Sequence, residues 1–414
     1  MSKQVLNHLT AGGSHSRRNI FRLAAGGALA AGLPGCALPE RGPPVPLGRA
    51  TEATVLGVPN ERFFPATGAA PMEAEFVAAV ERQRRTRGLS SLASMPQPQL
   101  QLLAVSGGGE NGAFGAGLLC GWSVQGTRPT FDLVTGISTG ALTAPFAFLG
   151  TDHDPQLRAV YTETPASQIL ATRGLTAALF DDALADNAPL FRTISHYVDD
   201  RMLAGIAQAY DAGRLLLIAS TDLDAQVPVI WNIGAIAKSG HPRAADTIRR
   251  ILLASAAIPG AFPPSMIEVT MDGKTYQEMH VDGGAFAQTF LYPSALTRNR
   301  DQRRRAGQPV VEARAFIIRN GRLDPEWATV ERRTLGIASR AISTMIASAG
   351  YNDVVRIYNI TQRDGVDYNL AFIGSDFNQV LPSPFDSTYM RALYDYGYER
   401  ARRGYDWAKQ PPLV

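Results

Sequence analysis

Short apolar runs followed by glycine-rich turns dominate the first half of the chain. Residues 102–105 and residues 133–137 are two such runs, and each is followed by a glycine-containing turn and then by a helical pattern. Continuous apolar runs of this length are typical of strands that are buried on both faces of a parallel sheet. The pattern therefore predicts two successive strand–turn–helix units.

The second half of the chain alternates between further strand patterns and helical patterns. Residues 214–231 predict a buried strand with a hairpin return, and residues 276–282 predict a strand that ends in an Asp-Gly-Gly turn. The remaining strands are expected at residues 311–321, 353–360 and 366–373. Helices are expected at residues 73–87, from about residue 322 to residue 349, and at residues 385–409.

The N-terminal segment, residues 1–36, has the layout of an export signal. An arginine pair, Arg17 and Arg18, precedes a stretch of alanine, glycine and leucine that is too short to cross about 30 Å of hydrocarbon. The pair resembles a twin-arginine signal, which predicts a protein exported to the bacterial envelope, either periplasmic or membrane-anchored. Residues 33–36 resemble a lipobox, with Pro34 in place of the usual small residue, so Cys36 is a predicted lipidation site.

Proline is frequent in the next segment, residues 37–60. This composition disfavours both helix and sheet and predicts a stiff, extended tether. The folded domain is therefore expected over residues 61–414, with its core motifs between residues 100 and 320.

Composition and charge exclude several classes of function. The 414 residues are 45% hydrophobic and 19% charged, which is ordinary for a globular protein, and the net charge of +3 is too small to indicate a nucleic-acid partner. The two cysteines cannot form a disulfide framework, and the six histidines are scattered without metal-ligand spacing. We therefore expect neither a metal site nor a cofactor.

The glycine loop at residues 107–109 follows the first predicted strand, and a helix is expected from about Gly112. The spacing Gly107-x-Gly109-x-x-Gly112 fits a dinucleotide fingerprint, but the acidic residue Asp132 precedes the second strand instead of following it. A phosphate-binding P-loop is excluded because no Gly-Lys-Ser/Thr follows. The remaining interpretation is an oxyanion hole, because glycine amides and a helix N-terminus favour developing negative charge.

The turn after the second predicted strand favours that interpretation. Gly136-Ile137-Ser138-Thr139-Gly140 has the G-x-S-x-G pattern of a nucleophile elbow, between a strand and a helix. Side chains at the two glycine positions would clash in such a tight turn, and the serine hydroxyl is exposed at a helix N-terminus. An acyl-transfer site needs both a nucleophile and N–H donors near the developing oxyanion, and two adjacent turns offer both.

A serine nucleophile needs a base, and two residues on one predicted strand are candidates. A Ser–Asp–His triad would have to use His280, the last histidine of the chain, with an acid from well upstream. Asp282 is the simpler candidate, since the glycines that follow it, Gly283 and Gly284, place its carboxylate at a flexible turn. Aspartate has a pKa of about 3.9 in water. To act as a base, Asp282 would therefore have to contact Ser138 and be partly desolvated.

These three motifs, in this order, resemble the patatin-like phospholipase family. The block ASAAIPGAFPP at residues 254–264 is similar to the alanine- and proline-rich stretch that precedes the Asp motif in that family. The resemblance runs from about residue 100 to residue 282 and on to about residue 320. It implies a three-layer α/β/α sandwich with a central, mostly parallel sheet, formed by residues 61–414 with a C-terminal helical extension.

The resemblance also implies the roles of the motif residues. Ser138 would be the nucleophile and Asp282 the proton acceptor of a Ser–Asp dyad, and the amides of the loop Gly107, Gly108 and Gly109 would form the oxyanion hole.

The chain departs from the family pattern at two positions of the glycine loop. Asn111 stands where the family often has arginine, and Ser106 replaces the leading acidic residue. The loss of these charges affects the expected preference for phospholipids and leaves the ester chemistry intact.

These observations predict an exported serine acyl-hydrolase that cleaves carboxylic esters of lipids and meets the membrane surface through an N-terminal lipid anchor. Two alternatives stay open. The first is a catalytically silent envelope lipoprotein that uses the same fold to bind lipid or a protein partner. The second is a triad hydrolase that uses His280.

Overall fold

The computed structural model describes residues 41–90, 100–173, 182–292, 298–307, 310 and 312–412. The predicted export signal and the lipidation site Cys36 lie outside these residues. Within the described part of the chain, no helix combines the length and the apolar character that crossing a bilayer requires.

A mixed sheet of nine strands forms the centre of the fold. Its central strands are mutually parallel in the order β11–β10–β2–β3–β6, and antiparallel strands complete the sheet beyond β6. The strands are β1 (Arg62–Phe63), β2 (Leu100–Val105), β3 (Leu133–Ile137), β6 (Leu215–Asp222), β7 (Val227–Asn232), β8 (Ser265–Met271), β9 (Lys274–Asp282), β10 (Ala313–Arg319) and β11 (Asp367–Phe372). A separate two-stranded sheet pairs β4 (Ala171–Thr172) with β5 (Ala185–Asp186).

Helices cover both faces of this sheet. They are α1 (Ala70–Thr86), α2 (Gly112–Gln125), α3 (Thr139–Leu149), α4 (Asp154–Thr162), α5 (Ala188–Tyr197), α6 (Asp200–Asp211), α7 (Ile233–Lys238), α8 (Ala244–Ser255), α9 (Arg298–Arg305), α10 (Thr334–Asp364) and α11 (Ser387–Arg402).

The pleat of the central strands divides the core into two parts. On β2, Leu103 and Val105 pack with residues of α2, α3, α8 and α11, whereas Leu102 and Ala104 pack with residues of α1 and α10. Successive side chains of a strand point to opposite faces, so each face of the sheet carries its own apolar layer. This arrangement confirms the predicted three-layer α/β/α architecture.

Most of the strands expected from the sequence are present, including the hairpin of β6 and β7 and the parallel strands β10 and β11. The strand expected at residues 353–360 is wrong, because this segment belongs to α10. Its buried apolar residues, Val354 and Ile357, are three positions apart, which places them on one face of a helix. The short apolar run was compatible with either element.

The C-terminal region is an integral part of the domain, in contrast to the helical extension expected from the sequence. It contributes β11, which pairs in parallel with β10 along its whole length. Helix α11 packs so closely on α2 that side chains at Gly117 and Gly121 would overlap the backbone of Tyr394 and Tyr398.

The predicted tether, residues 37–60, is not extended from Gly42 onward, and the compact unit spans Gly42–Val414. Ala53 and Val55 are buried in the core, and Thr54 forms an antiparallel bridge with Thr270 of β8. Proline lacks an N–H group but retains its carbonyl acceptor, and the Gln277 amide donates to the Pro43 carbonyl at 2.9 Å. Prolines in this segment are therefore compatible with packing at the edge of the sheet.

Candidate active site

The sheet register brings the two candidate catalytic residues to one place. β3 pairs with β6 up to the pair Ile137–Ala219, and β9 pairs with β6 from the next position, where Asp282 is opposite Ser220. β7 occupies the other edge of β6 over the same residues. β9 therefore continues along the edge that β3 leaves free, so Asp282 lies beside the turn that follows Ile137.

Ser138 occupies that turn in a strained backbone conformation. Its φ is 57° and its ψ is −127°, at the position that precedes the first residue of α3. Such angles are rare for a residue with a Cβ atom and persist where the surroundings hold them in place. The flanking glycines permit the turn by close packing: a Cβ atom at Gly136 would overlap the Gly140 carbonyl, and one at Gly140 would overlap the carbonyl of Val105.

A second serine, Ser255 at the end of α8, hydrogen-bonds to the turn. Its buried hydroxyl accepts the N–H of Ser138 at 3.0 Å and donates to the carbonyl of Ala219 at 2.6 Å. The strained residue is thereby tied to the neighbouring strand β6. Nothing in the local sequence indicates this contact, because Ser255 is separated from Ser138 by 117 positions.

The glycine loop lies against Ser138. A Cβ atom at Gly107 would be 3.2 Å from the Cβ of Ser138, and one at Gly108 would overlap the carbonyl of Asn320. The N–H of Gly107 donates to the Gln288 carbonyl at 3.0 Å, so Gly107 is corrected from an oxyanion donor to a spacing residue. The N–H groups of Gly108 and Gly109 have no acceptor within the described part of the chain.

A buried arginine hydrogen-bonds to the glycine loop. Arg319, the last residue of β10, donates from Nη1 to the Gly107 carbonyl at 3.2 Å and to the Ser106 hydroxyl at 3.3 Å. The Ser106 hydroxyl also donates to the Gly107 carbonyl, at 2.7 Å. Burial lowers the pKa of Arg319 to about 10. Since the carbonyl and N–H of a trans peptide point in opposite directions, these contacts turn the Gly108 N–H away from Arg319.

Asp282 ends β9 with one carboxylate oxygen bound and the other free of a well-formed hydrogen bond. Oδ1 accepts the N–H of Gly284 at 2.6 Å, whereas the buried Oδ2 has no partner of good geometry among the described residues. Burial raises the pKa of this carboxyl to about 7, and the neighbouring Ser138 hydroxyl and the Gly284 amide oppose that rise. A poorly aligned serine–base contact is common before substrate binds.

The remaining motif glycines permit close packing around these groups. A Cβ atom at Gly112 would overlap the Thr139 hydroxyl, and one at Gly283 would lie 2.6 Å from the carbonyl of Ala219. A side chain at Gly284 would crowd both Asp282 Oδ1 and the amide of Gln288. None of these three glycines has a positive φ, so their role is close approach of backbone segments.

Comparison with known proteins gives a family match for the segment that contains these motifs. Residues 103–293 match the model of a family described as patatin-like phospholipase. This segment is therefore similar to a patatin-like phospholipase domain and is called here the patatin-like domain. Among solved structures, VipD from Legionella pneumophila is 12% identical with a TM-score of 0.36, over 73% of this chain and 66% of VipD. That likeness spans slightly less than two thirds of VipD and carries no argument about function. A search of curated protein sequences gives no significant match.

His280 of the patatin-like domain is engaged away from Ser138. Its Nδ1 is 2.9 Å from the Ser220 hydroxyl, and its Nε2 is 3.1 Å from Glu278. Both ring nitrogens of His280 therefore contact groups other than Ser138. The triad interpretation with His280 is therefore wrong.

The same histidine belongs to a cluster, Asp222, Glu278 and His280, whose ligand atoms lie within 4.8 Å of one another. The guanidinium of Arg62 forms a buried ion pair with Glu278 at 2.6 Å, next to these atoms. A fixed positive charge at this distance opposes cation binding and neutralises the carboxylate. The arrangement fits an internal network of charged side chains around the second half of β9.

An apolar cavity opens beside Ser138. Its empty space, with the open solvent at its mouth included, is about 830 Å³. Gly109, Ser138 and Thr139 contribute to its wall, and the rest of the wall is almost entirely apolar. Its apolar lining comes from five helices and from the segments next to them, including Leu142, Phe146, Val160, Leu190, Ile194, Leu252, Phe262 and Met390.

Proposed function

We propose that the patatin-like domain is a serine acyl-hydrolase that cleaves carboxylic esters of lipids. The observation that supports this best is a strained serine in the wall of an apolar cavity, with the buried carboxyl of Asp282 beside that serine. Apolar pockets with a few convergent polar groups and a perturbed pKa are typical of active sites.

In the proposed acylation step, the Ser138 hydroxyl attacks the ester carbonyl carbon and its proton moves to Asp282 Oδ2. The carbonyl oxygen becomes an oxyanion, and the N–H groups of Gly108 and Gly109 donate to it. When the tetrahedral intermediate collapses, the carbon–oxygen bond to the alcohol breaks. The alkoxide takes the proton back from Asp282, which leaves an acyl ester on Ser138.

Deacylation repeats these steps with water. Asp282 accepts a proton from the water as the oxygen attacks the acyl carbonyl, and the second tetrahedral intermediate releases the carboxylic acid. The Ser138 oxygen then recovers the proton from Asp282. The raised pKa of Asp282 suits both directions of transfer, because a base with a pKa near the working pH can accept and return a proton.

The cavity supports a lipid acyl group as the substrate portion that lies beside Ser138. Each methylene transferred from water into an apolar wall contributes about 0.8 kcal/mol. A cavity with so few polar groups offers no recognition of a charged or sugar-like acyl portion. The head group would remain outside the cavity, near the glycine loop.

Covalent labelling tests the proposal directly. A fluorophosphonate probe should attach to Ser138 in the folded protein and to no other serine, because only an activated hydroxyl attacks phosphorus at a useful rate. Peptide mapping by mass spectrometry would locate the adduct, with Ser138→Ala as the blank. A folded, unlabelled wild-type protein would instead support the catalytically silent alternative.

Narrowing the cavity should change acyl-chain preference. The variant Ile194→Trp adds bulk to the wall that α5 provides, so kcat/KM for long-chain p-nitrophenyl esters should fall about 10–100-fold, while the acetate ester should be nearly unaffected. Val77→Trp places the same side chain at an exposed site on α1 and serves as the control. An equal loss for short and long esters would show that the cavity does not hold the acyl chain.

A further inference from the structure

Helix α10 is much longer than the sheet that it covers. A Cβ atom at Gly350 would overlap the guanidinium of Arg319, which is the last residue of β10. Gly350 is therefore level with the carboxyl end of that strand. The preceding residues 334–349, called here the overhanging segment, extend roughly 24 Å past the sheet at 1.5 Å per residue.

Four large apolar residues of the overhanging segment are exposed to solvent. Ile337 is 51% exposed and Met345 is 62% exposed, and Ile342 and Ile346 are 47% and 36% exposed. Trp327, in the loop that leads into the helix, is 89% exposed. The same helix becomes buried at Val354 and Ile357, as soon as it reaches the sheet. No element of the described chain covers the apolar side of the segment.

The sequence of the segment is amphipathic and lacks acidic residues. At 100° per residue, Ile337, Ile342, Met345 and Ile346 share one half of the helix, and Arg340 lies in the other half. Arg332 and Arg333 precede the segment, and Glu331 before them forms an ion pair with Arg333 at 3.7 Å. No aspartate or glutamate occurs between Arg333 and Asp353, so the segment and the residues 331–333 together carry a net positive charge. A helix with one apolar side and basic residues on or next to its polar side is typical of helices that lie in a membrane interface.

The overhanging segment projects from the edge of the sheet that carries the candidate active site. Ser138 follows the carboxyl end of β3, and the glycine loop follows the carboxyl end of β2, which is parallel to β10. Hydrogen bonds also link α10 to the glycine loop through Gln288. The N–H of Gln288 donates to Asp353 Oδ2 at 2.6 Å, and the Gln288 carbonyl accepts the N–H of Gly107. An apolar surface and the catalytic groups are thus presented on the same side of the molecule.

We propose that the overhanging segment docks the protein on a lipid bilayer with anionic head groups. The apolar half would enter the interface, and Arg332, Arg333 and Arg340 would face the phosphates. In this proposal the helix lies in the plane of the surface, as interfacial amphipathic helices do. A second copy of this chain fits less well, because pairing two such segments would bring like charges together. This docking goes beyond ester hydrolysis, although it would deliver lipid substrates to the proposed site.

Vesicle binding by a triple variant tests the docking surface. The variant Ile337→Ser/Ile342→Ser/Met345→Ser removes exposed apolar groups only, so the core is unaffected. The control Val77→Ser/Val124→Ser/Val380→Ser removes three exposed valines elsewhere. All proteins carry Cys36→Ala, which excludes a covalent lipid anchor as the cause of binding. Cosedimentation with phosphatidylcholine–phosphatidylglycerol vesicles should show an apparent Kd raised about tenfold or more in the triple variant and unchanged in the control.

Two results would overturn the docking proposal. One is a triple variant that binds vesicles as tightly as wild type. The other is a wild-type protein that dimerises without lipid and becomes monomeric in the triple variant, by light scattering, which would assign the surface to a second copy.

Binding and catalysis are separable in this design. Ser138→Ala should retain vesicle binding, and the triple variant should retain turnover of a soluble acetate ester while losing turnover of vesicle-bound esters. If no ester is hydrolysed by wild type but the triple variant still loses vesicle binding, the proposed hydrolase function fails and the docking proposal stands.

Discussion

Replacing Ser138 with alanine is expected to reduce kcat for a soluble p-nitrophenyl ester by up to about 10⁶-fold. The acyl-enzyme cannot form without the hydroxyl, and loss of the nucleophile in a serine hydrolase has effects of this order. Alanine keeps the Cβ atom and therefore tolerates the φ of 57° about as well as serine does. We therefore expect the fold and the Tm to be preserved.

The matched control for this variant is Ser195→Ala on α5. Its hydroxyl donates to the carbonyl of Phe191 within the helix and does not contact the candidate site. Steady-state kinetics of the two variants, purified in parallel, make the comparison. Turnover by Ser138→Ala at the wild-type rate would exclude Ser138 as the nucleophile and the elbow as the reacting turn.

Replacing Asp282 with asparagine should be the next most damaging change, with kcat lowered by up to about 10⁴-fold. General-base catalysis contributes about 10²–10⁴-fold. The upper end is expected here because His280, an alternative base on the same strand, is engaged by Ser220 and Glu278. Asparagine retains an acceptor for the Gly284 amide, so the turn should remain intact. A variant with more than a tenth or so of wild-type kcat would contradict the assignment.

The same carboxyl sets the expected pH dependence. With a pKa of about 7 in the folded protein, wild-type kcat/KM should rise as pH increases through about 7 and then level off, because only the carboxylate accepts the proton. A carboxyl whose folded pKa exceeds its unfolded value makes the fold less stable as pH rises between those values. Asp282→Asn should therefore raise the Tm at pH values well above 7 and change it little near pH 4. An activity midpoint near 4 would show that Asp282 is solvated.

Local spacing made much of the site predictable from the sequence. The G-x-S-x-G turn, the glycine loop and the Asp-Gly-Gly turn each place their chemistry within a few residues, so the strand–turn–helix context could be inferred from the apolar pattern. The parallel centre of the sheet followed from the same pattern. β9 pairs antiparallel with β6 beyond the end of β3, and this pairing brings Asp282 to Ser138. No local sequence pattern indicates it.

The supporting contacts could not be inferred because they come from distant elements. The Ser255 hydroxyl on α8 accepts the N–H of Ser138, and Arg319 on β10 donates to the Gly107 carbonyl. Gln288 hydrogen-bonds both to the glycine loop and to the turn after Asp282. Helix α1 shows a related limit. The apolar residue Val77 is 67% exposed, while the polar residues Glu75 and Gln83 are buried. Asn60 donates to Glu75, and the Gln83 amide donates to Asp132. Hydrophobicity alone does not indicate these contacts.

Early packing of the chain, from Gly42 onward, limits how far a lipid-modified protein could stand from its membrane. If Cys36 carries the lipid, only residues 37–41 separate the acyl chains from the folded body. Five residues span at most roughly 18 Å when fully extended, less than the depth of a typical bilayer. Such a protein would stay within reach of the head groups. Its access to lipid substrate would then depend on how the domain is oriented at the membrane surface, and not on diffusion from bulk solvent.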